Sequence, residues 1–139
     1  MRFWDSSALV PLVIRQRAST AVDTWFGEDS VVALWALTPV EITSALWRHV
    51  RGGAVAEDDA LRAETRVDEL VQSSYVVADL DTVSARGRRL LRVHALRAAD
   101  ASQLAAAILW AANAPQGRVF HTLDDRLALA ARREGFSVP

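Results

Sequence analysis

Four acidic residues in this chain stand where chemistry would need them. Asp5 follows the apolar run RFW, Glu41 lies in TPVEITSAL, Asp100 precedes the small-residue run ASQLAAAILWAA, and Asp124 lies in HTLDDRL. Carboxylates brought to one place repel one another and raise each other's pKa unless a cation sits among them. The chain has no Cys, and none of its three His stands among these acids. The donors are therefore hard oxygens, which suit Mg²⁺, with Mn²⁺ as a substitute. Each acid also has a purely local reading. Asp5 and Asp124 fit helix caps, Thr38-Pro39-Val40-Glu41 spells a capping box with proline at the first helical position, and Asp100 with Gln103 fits an N-cap and its third residue.

Only a fold that gathers these positions gives the acids a joint role. Short β-branched or aromatic runs at Arg2 to Asp5, Ser30 to Trp35, Tyr75 to Ala78 and Arg118 to Leu123 read as strands, with FSVP at the end as a fifth. Between them, helical patterns run over Ser7 to Val13, Thr20 to Phe26, Pro39 to Arg51, Glu57 to Gln72, Thr82 to His94, Asp100 to Asn113 and Asp125 to Glu134. Strands separated by helices pair in parallel through right-handed crossovers. The expected fold is an α/β three-layer helix-sheet-helix sandwich with a central, mostly parallel sheet of four to five strands, formed by residues 1–139 as one domain. In such a sheet the ligand crevice lies outside the carboxyl ends of the strands. Asp5 and Asp124 close strands, Glu41 follows one, and Asp100 opens a helix able to reach the same edge.

Composition removes several other chemistries. A chain of 139 residues buries about 68–70% of its unfolded surface, so it needs no disulfide or metal to fold. Without Cys, thiol redox and zinc-thiolate sites are excluded, and a reducing cytoplasm is the expected setting. The N-terminal MRFWDSSALVPLVI interrupts its apolar region with Asp5 and makes a poor signal peptide, and no apolar run reaches membrane-spanning length. All 16 basic residues are Arg, with no Lys, which excludes a P-loop and Schiff-base catalysis. A net charge of -1 argues against broad duplex binding and requires any nucleic-acid contact to use a local concentration of Arg.

The segments FWDSSALVPL, TPVEITSAL, LRAADASQLAAA and VFHTLDDRLALAARREGFSV resemble, in order, the four acidic motifs of PIN-domain ribonucleases, in particular VapC-type toxins of VapBC toxin-antitoxin pairs. The resemblance spans nearly the whole chain. It implies a cytoplasmic, metal-dependent endoribonuclease whose Mg²⁺ site is built from Asp5, Glu41, Asp100 and Asp124, with 5′-phosphate and 3′-hydroxyl products. It further implies a VapB-type antitoxin partner and a homodimer. Asp125 competes with Asp124 for the fourth place, the Thr-x-Asp pattern favouring Asp124. Ser6 resembles the hydroxyl that steadies such a site and reads equally as a helix-start serine.

Substrate contacts call for positive charge. Arg86, Arg88, Arg89, Arg92 and Arg97 precede Asp100, and Arg48 and Arg51 follow Glu41 on its helix; Arg89, Arg92 and Arg97 are the leading RNA-backbone candidates beside the reading as a solvated helix face. Single-stranded or loop RNA is the expected target, since its bases are accessible. Trp4, Trp35 and Trp110 fit packing positions, whereas Trp25 and Trp47 are candidates for antitoxin contact as well as core. His49, His94 and His121 have no ligand spacing and are assigned no role. Two rivals remain: a non-catalytic PIN-like module that binds RNA or protein, and a phosphatase of the haloacid dehalogenase type, which would want an acid where Ser7 stands.

Overall fold

A computed structural model describes residues 1–139. Four parallel strands, β1 (Arg2–Trp4), β2 (Val32–Trp35), β3 (Tyr75–Val77) and β4 (Phe120–His121), lie in the order β3-β2-β1-β4. Seven helices connect them: α1 (Ser6–Val13), α2 (Ser19–Glu28), α3 (Thr38–Arg51), α4 (Glu57–Gln72), α5 (Leu80–Val93), α6 (Ala98–Trp110) and α7 (Asp125–Glu134). The expected fifth strand shrinks to one parallel bridge between Val119 and Ser137, where the Ser137 backbone bonds Arg118 and Phe120 at 2.9 Å each.

The central strands are apolar on both faces because helices cover both. Phe3, Ala33 and Trp35 face one core with α5, α6 and α7, while Trp4, Val32 and Leu34 face a second with α1 to α4. Phe3 stacks on Phe120 across β1 and β4, with ring centroids 5.5 Å apart. On α6, Ala105, Ala106 and Ala107 are fully buried, and their small side chains let the helix lie close to the sheet. Asp124 caps α7 through Oδ1, which accepts from the Arg126 and Leu127 backbone N–H groups. At the other end Gly135 takes φ +107°, a conformation that favours glycine, and turns Phe136 into the core.

Two helix starts differ from the sequence expectation. α6 begins at Ala98, so Asp100 is its third residue and not its N-cap, and its Oδ2 accepts from the Arg97 backbone N–H at 3.2 Å. α3 begins at Thr38 without a side-chain cap, and the Thr38–Glu41 capping box does not form. Tertiary partners take both side chains instead: Thr38 bonds Gln103, and Glu41 bonds Ser6 and Gln103.

Candidate active site

The carboxyl edge of the sheet holds the acids. Parallel β1, β2 and β4 end side by side, so the turns after them bring together Asp5 and Ser6, the N-terminus of α3, and the Thr122 to Asp124 turn. α6 enters from the side, and Gln103, fully buried, reaches Glu41 across 62 positions of sequence.

Asp5 is 3% exposed and is held by hydroxyls. Its Oδ2 accepts from the Ser7 backbone N–H at 3.2 Å, from Ser7 Oγ, and from Thr122 Oγ1 at 2.9 Å. Both hydroxyls accept in turn, Ser7 Oγ from the Leu123 N–H at 2.9 Å and Thr122 Oγ1 from the Asp124 N–H at 3.1 Å. Their protons are thereby directed at Asp5. Ser6 Oγ donates to Glu41 Oε2 at 2.8 Å and lies 3.3 Å from Asp5 Oδ1. Gln103 Nε2 donates to the same Glu41 oxygen at 3.0 Å and to Thr38 Oγ1 at 3.0 Å.

A common pattern emerges across the four acids. Each commits one oxygen to the fold: Asp5 Oδ2, Glu41 Oε2, Asp100 Oδ2 to the α6 N-terminus, and Asp124 Oδ1 to the α7 N-terminus. The second oxygen stays largely uncommitted, with Asp5 Oδ1 meeting only the long Ser6 contact and Asp124 Oδ2 lying 3.9 Å from Arg126. Local structural roles and ligand roles are therefore compatible in the same side chain.

Burial raises the Asp5 carboxyl above the usual carboxylate range, against the lowering effect of its Ser and Thr hydrogen bonds. Glu41 is raised first by burial and further by the charges of Asp5 and Asp100, against the lowering effect of its Gln103 and Ser6 hydrogen bonds. None of the three belongs to an ion pair of the chain. A cluster of hard, mutually repelling oxygen donors with no protein cation among them fits a divalent ion. The cluster is not a closed cage: nowhere do three His, Asp or Glu side chains form a group already spaced to hold one ion. Mg²⁺ does not require such a cage, since it keeps several waters and is usually bound through one or two carboxylates plus substrate phosphate.

Asp124 connects to the cluster through Thr122, whose hydroxyl joins its backbone N–H to Asp5; Asp125 is exposed in the first turn of α7. The sequence reading missed Ser7, Thr122 and Gln103. A signal for the first two was present in the hydroxyls adjoining acids in DSS and HTLD, but Gln103 was masked by its capping-box spacing. A cavity of about 450 Å³ opens beside Ser6 and Glu41 and is lined also by Ser44 and Arg48.

Two curated relatives match nearly the full chain. Ribonuclease VapC45 of Mycobacterium tuberculosis (strain CDC 1551 / Oshkosh) is 30% identical over 137 residues, covering 98% of this chain and 92% of the relative. Ribonuclease VapC49 of Mycobacterium tuberculosis (strain ATCC 25618 / H37Rv) matches to the same extent. This chain belongs to the VapC ribonuclease family. No family model matches it. Among solved structures, a toxin-antitoxin complex from Klebsiella pneumoniae superposes with a TM-score of 0.63 at 18% identity, covering 92% of this chain and 91% of that one. PAE2754 from Pyrobaculum aerophilum gives 0.60 at 27% identity over 93% and 78% of the respective chains. These neighbours share the α/β fold with its parallel sheet.

The remaining VapC-type expectations fall in different places. Arg89 is held by Glu134 at 2.9 Å. Arg92 and Arg97 are exposed on α5 and at the start of α6. Trp25 stacks on His121, with centroids 4.9 Å apart, and Trp47 donates its indole N–H to Glu64, so both half-buried rings serve packing between elements. No helix is long and apolar enough to cross a membrane.

Proposed function

We propose that this VapC-family chain is the Mg²⁺-dependent endoribonuclease toxin of a toxin-antitoxin pair, cutting RNA to leave 5′-phosphate and 3′-hydroxyl ends. The observation that carries the reading is the Ser6 hydroxyl between two half-committed carboxylates, 2.8 Å from Glu41 and 3.3 Å from Asp5. Asp5 and Glu41 are the principal ligands, with Asp100 and Asp124 joining directly or through water. An ion held there supplies Lewis acidity, neutralising phosphoryl charge and acidifying water.

The chain's own residues do the rest. Ser7 and Thr122 fix Asp5 by their hydroxyl protons, and Gln103 and Ser6 fix Glu41, so the free oxygens need little reorganisation. Arg48 lines the cavity beside Glu41 and has no ion-pair partner, which suits it to a substrate phosphate. Manganese is expected to replace magnesium. A VapB-type antitoxin completes the reading, supported by the toxin-antitoxin neighbour, and the motif resemblance adds a homodimer, while the absence of Cys suits a cytoplasmic setting.

The test is cleavage of single-stranded RNA by the purified chain under Mg²⁺ titration, with end-group analysis of the products. Cleavage that Mg²⁺ stimulates, chelator abolishes and D5N eliminates is expected. Unimpaired cutting by D5N, or cutting indifferent to chelator, would refute the assignment.

A further inference from the structure

The outer side of α5, the start of α6 and the turn before α3 enclose a mostly apolar groove of about 240 Å³. Leu37, Leu80 and Leu91 stand on its rim at 50%, 62% and 43% exposure. Exposed apolar ground edged by charge marks an interaction surface. At about 100° per residue, Leu80, Ser84, Gly87 and Leu91 fall on one stripe of α5 about 60° wide, and Asp81, Arg88 and Arg92 fall together on the flank beside it.

The charges on that flank are left open by the fold. Asp81, Arg88 and Arg92 are exposed, and none belongs to an ion pair of the chain. The acid lies in the first turn of α5 and the two arginines in its second half. A parallel copy of the helix would set like charges against each other. An antiparallel copy, related by a two-fold axis between Ala85 and Arg86, exchanges Leu80 with Leu91 and Ser84 with Gly87, and sets Asp81 between the partner's Arg88 and Arg92. One position of the axis therefore satisfies the leucines and the charges together. An RNA strand would meet Asp81 at one end and leave the leucines in water, whereas a second copy covers the leucines and answers every charge. With a net charge of -1, two copies feel little long-range repulsion.

We propose that α5 is the two-fold interface of a homodimer, packed antiparallel on α5 of a second copy, with Leu80 and Leu91 as apolar contacts and Asp81 held between Arg88 and Arg92 across it. The homodimer itself belongs to the reading above, whereas the face, the orientation and the charge pairing rest on the groove. The contact is isologous, each copy giving the same patch. Leu37 and Ala98 carry the groove to the starts of α3 and α6, the helices of Glu41 and Asp100, so the partner's α5 borders the acid cluster. Arg92, an RNA candidate by sequence, is then taken by the interface.

The chain contains no Cys, so introduced cysteines report the register. Across the axis, Ser84 and its copy are offset along the helices by about 4.5 Å, Leu80 and its copy by about 16 Å, and Leu80 and the partner's Leu91 not at all. Under mild oxidation S84C should give a disulfide-linked dimer, L80C alone should not, and L80C mixed with L91C should; L61C on α4 is the control that stays unlinked. In sedimentation equilibrium D81R should weaken the dimer about tenfold or more, and D81R/R88D/R92D, with every sign exchanged, should recover most of that loss. Circular dichroism checks that each variant is folded. Cross-linking in this pattern together with recovery by the charge exchange upholds the interface. A dimer that S84C does not link, or that D81R leaves intact, overturns this face and leaves the homodimer standing, and a chain that sediments only as a monomer overturns both. RNA cleavage measured on the same samples tests the ribonuclease reading independently.

Discussion

Gln103 Nε2 lies 3.0 Å from Glu41 Oε2 and 3.0 Å from Thr38 Oγ1, so one buried amide fastens the start of α3 to the flank of α6. Glu41 is raised by burial and by Asp5 and Asp100, and the Gln103 bond works against that rise. Gln103→Leu removes the donor while keeping the volume. The Glu41 carboxyl should then move further up, and the acid limb of the cleavage-rate profile should shift to higher pH. Leaving Thr38 and Glu41 short of a partner should also cost about 1–3 kcal/mol in stability. Denaturant melts and a pH profile check both effects, and an unmoved acid limb would separate Gln103 from the chemistry.

Asp5 provides a test in which function and stability move in opposite directions. Its folded pKa is raised, so the contribution of this group to stability is full below the unfolded pKa near 3.8 and is lost as pH rises through the folded value. Once pH has risen through that value, the buried carboxylate is a liability that Asp5→Asn removes, in exchange for weaker bonds from Ser7 and Thr122. The urea midpoint of D5N at pH 7 should equal or exceed that of the parent chain, while RNA cleavage is lost. Added Mg²⁺ should raise the melting temperature of the parent only, because binding to the native state alone stabilises it.

How much of this was legible beforehand follows from which contacts are local. The helices Glu57–Gln72 and Asp125–Glu134 appear with the expected ends, since their capping and first-turn acids are neighbours in sequence. The same local logic misled at α3 and α6. Thr38 with Glu41, and Asp100 with Gln103, have capping-box spacing, yet three of these four side chains bond across the fold. A partner 62 or 65 positions away leaves no periodic trace, so Gln103 could be found only in three dimensions. That Asp5, Glu41 and Asp124 lie at one edge was legible because a parallel sheet forces the residues after its strands there, whereas Asp100 comes in on α6.

His121 contributes an acid limit to the fold. The ring is fully buried between Trp4, at 4.2 Å, and Trp25, at 4.9 Å, and neither ring nitrogen has a partner. Burial, aided by Arg2, lowers its pKa from 6.5 to about 4. The sign is opposite to that of Asp5: the stability tied to the neutral ring is complete above pH 6.5 and is lost as pH falls towards 4. At about 1.4 kcal/mol per unit the full loss is about 3 kcal/mol. His121→Leu should flatten the fall in unfolding free energy between pH 6.5 and 4, whatever it does to stability at pH 8. Denaturant melts across that range that remain parallel for the two proteins would exclude His121 as the source.

Arg48 and Arg89 are both exposed arginines, and their surroundings predict different consequences. Arg48 lines the cavity that contains Ser6 and Glu41 and has no ion-pair partner, whereas Arg89 is bonded to Glu134 beside His94. Removing Arg48 breaks no side-chain hydrogen bond or ion pair, so R48A should melt within about 0.5 kcal/mol of the parent, as surface substitutions do. If Arg48 holds the substrate equally in the ground and transition states, its loss raises KM and spares kcat. R89E instead sets two carboxylates against each other, and its first effect should be lower stability. Steady-state kinetics and melts on the two variants separate the roles. A KM unchanged in R48A, or RNA binding lost in R89E at full stability, would return the substrate path to the exposed face of α5.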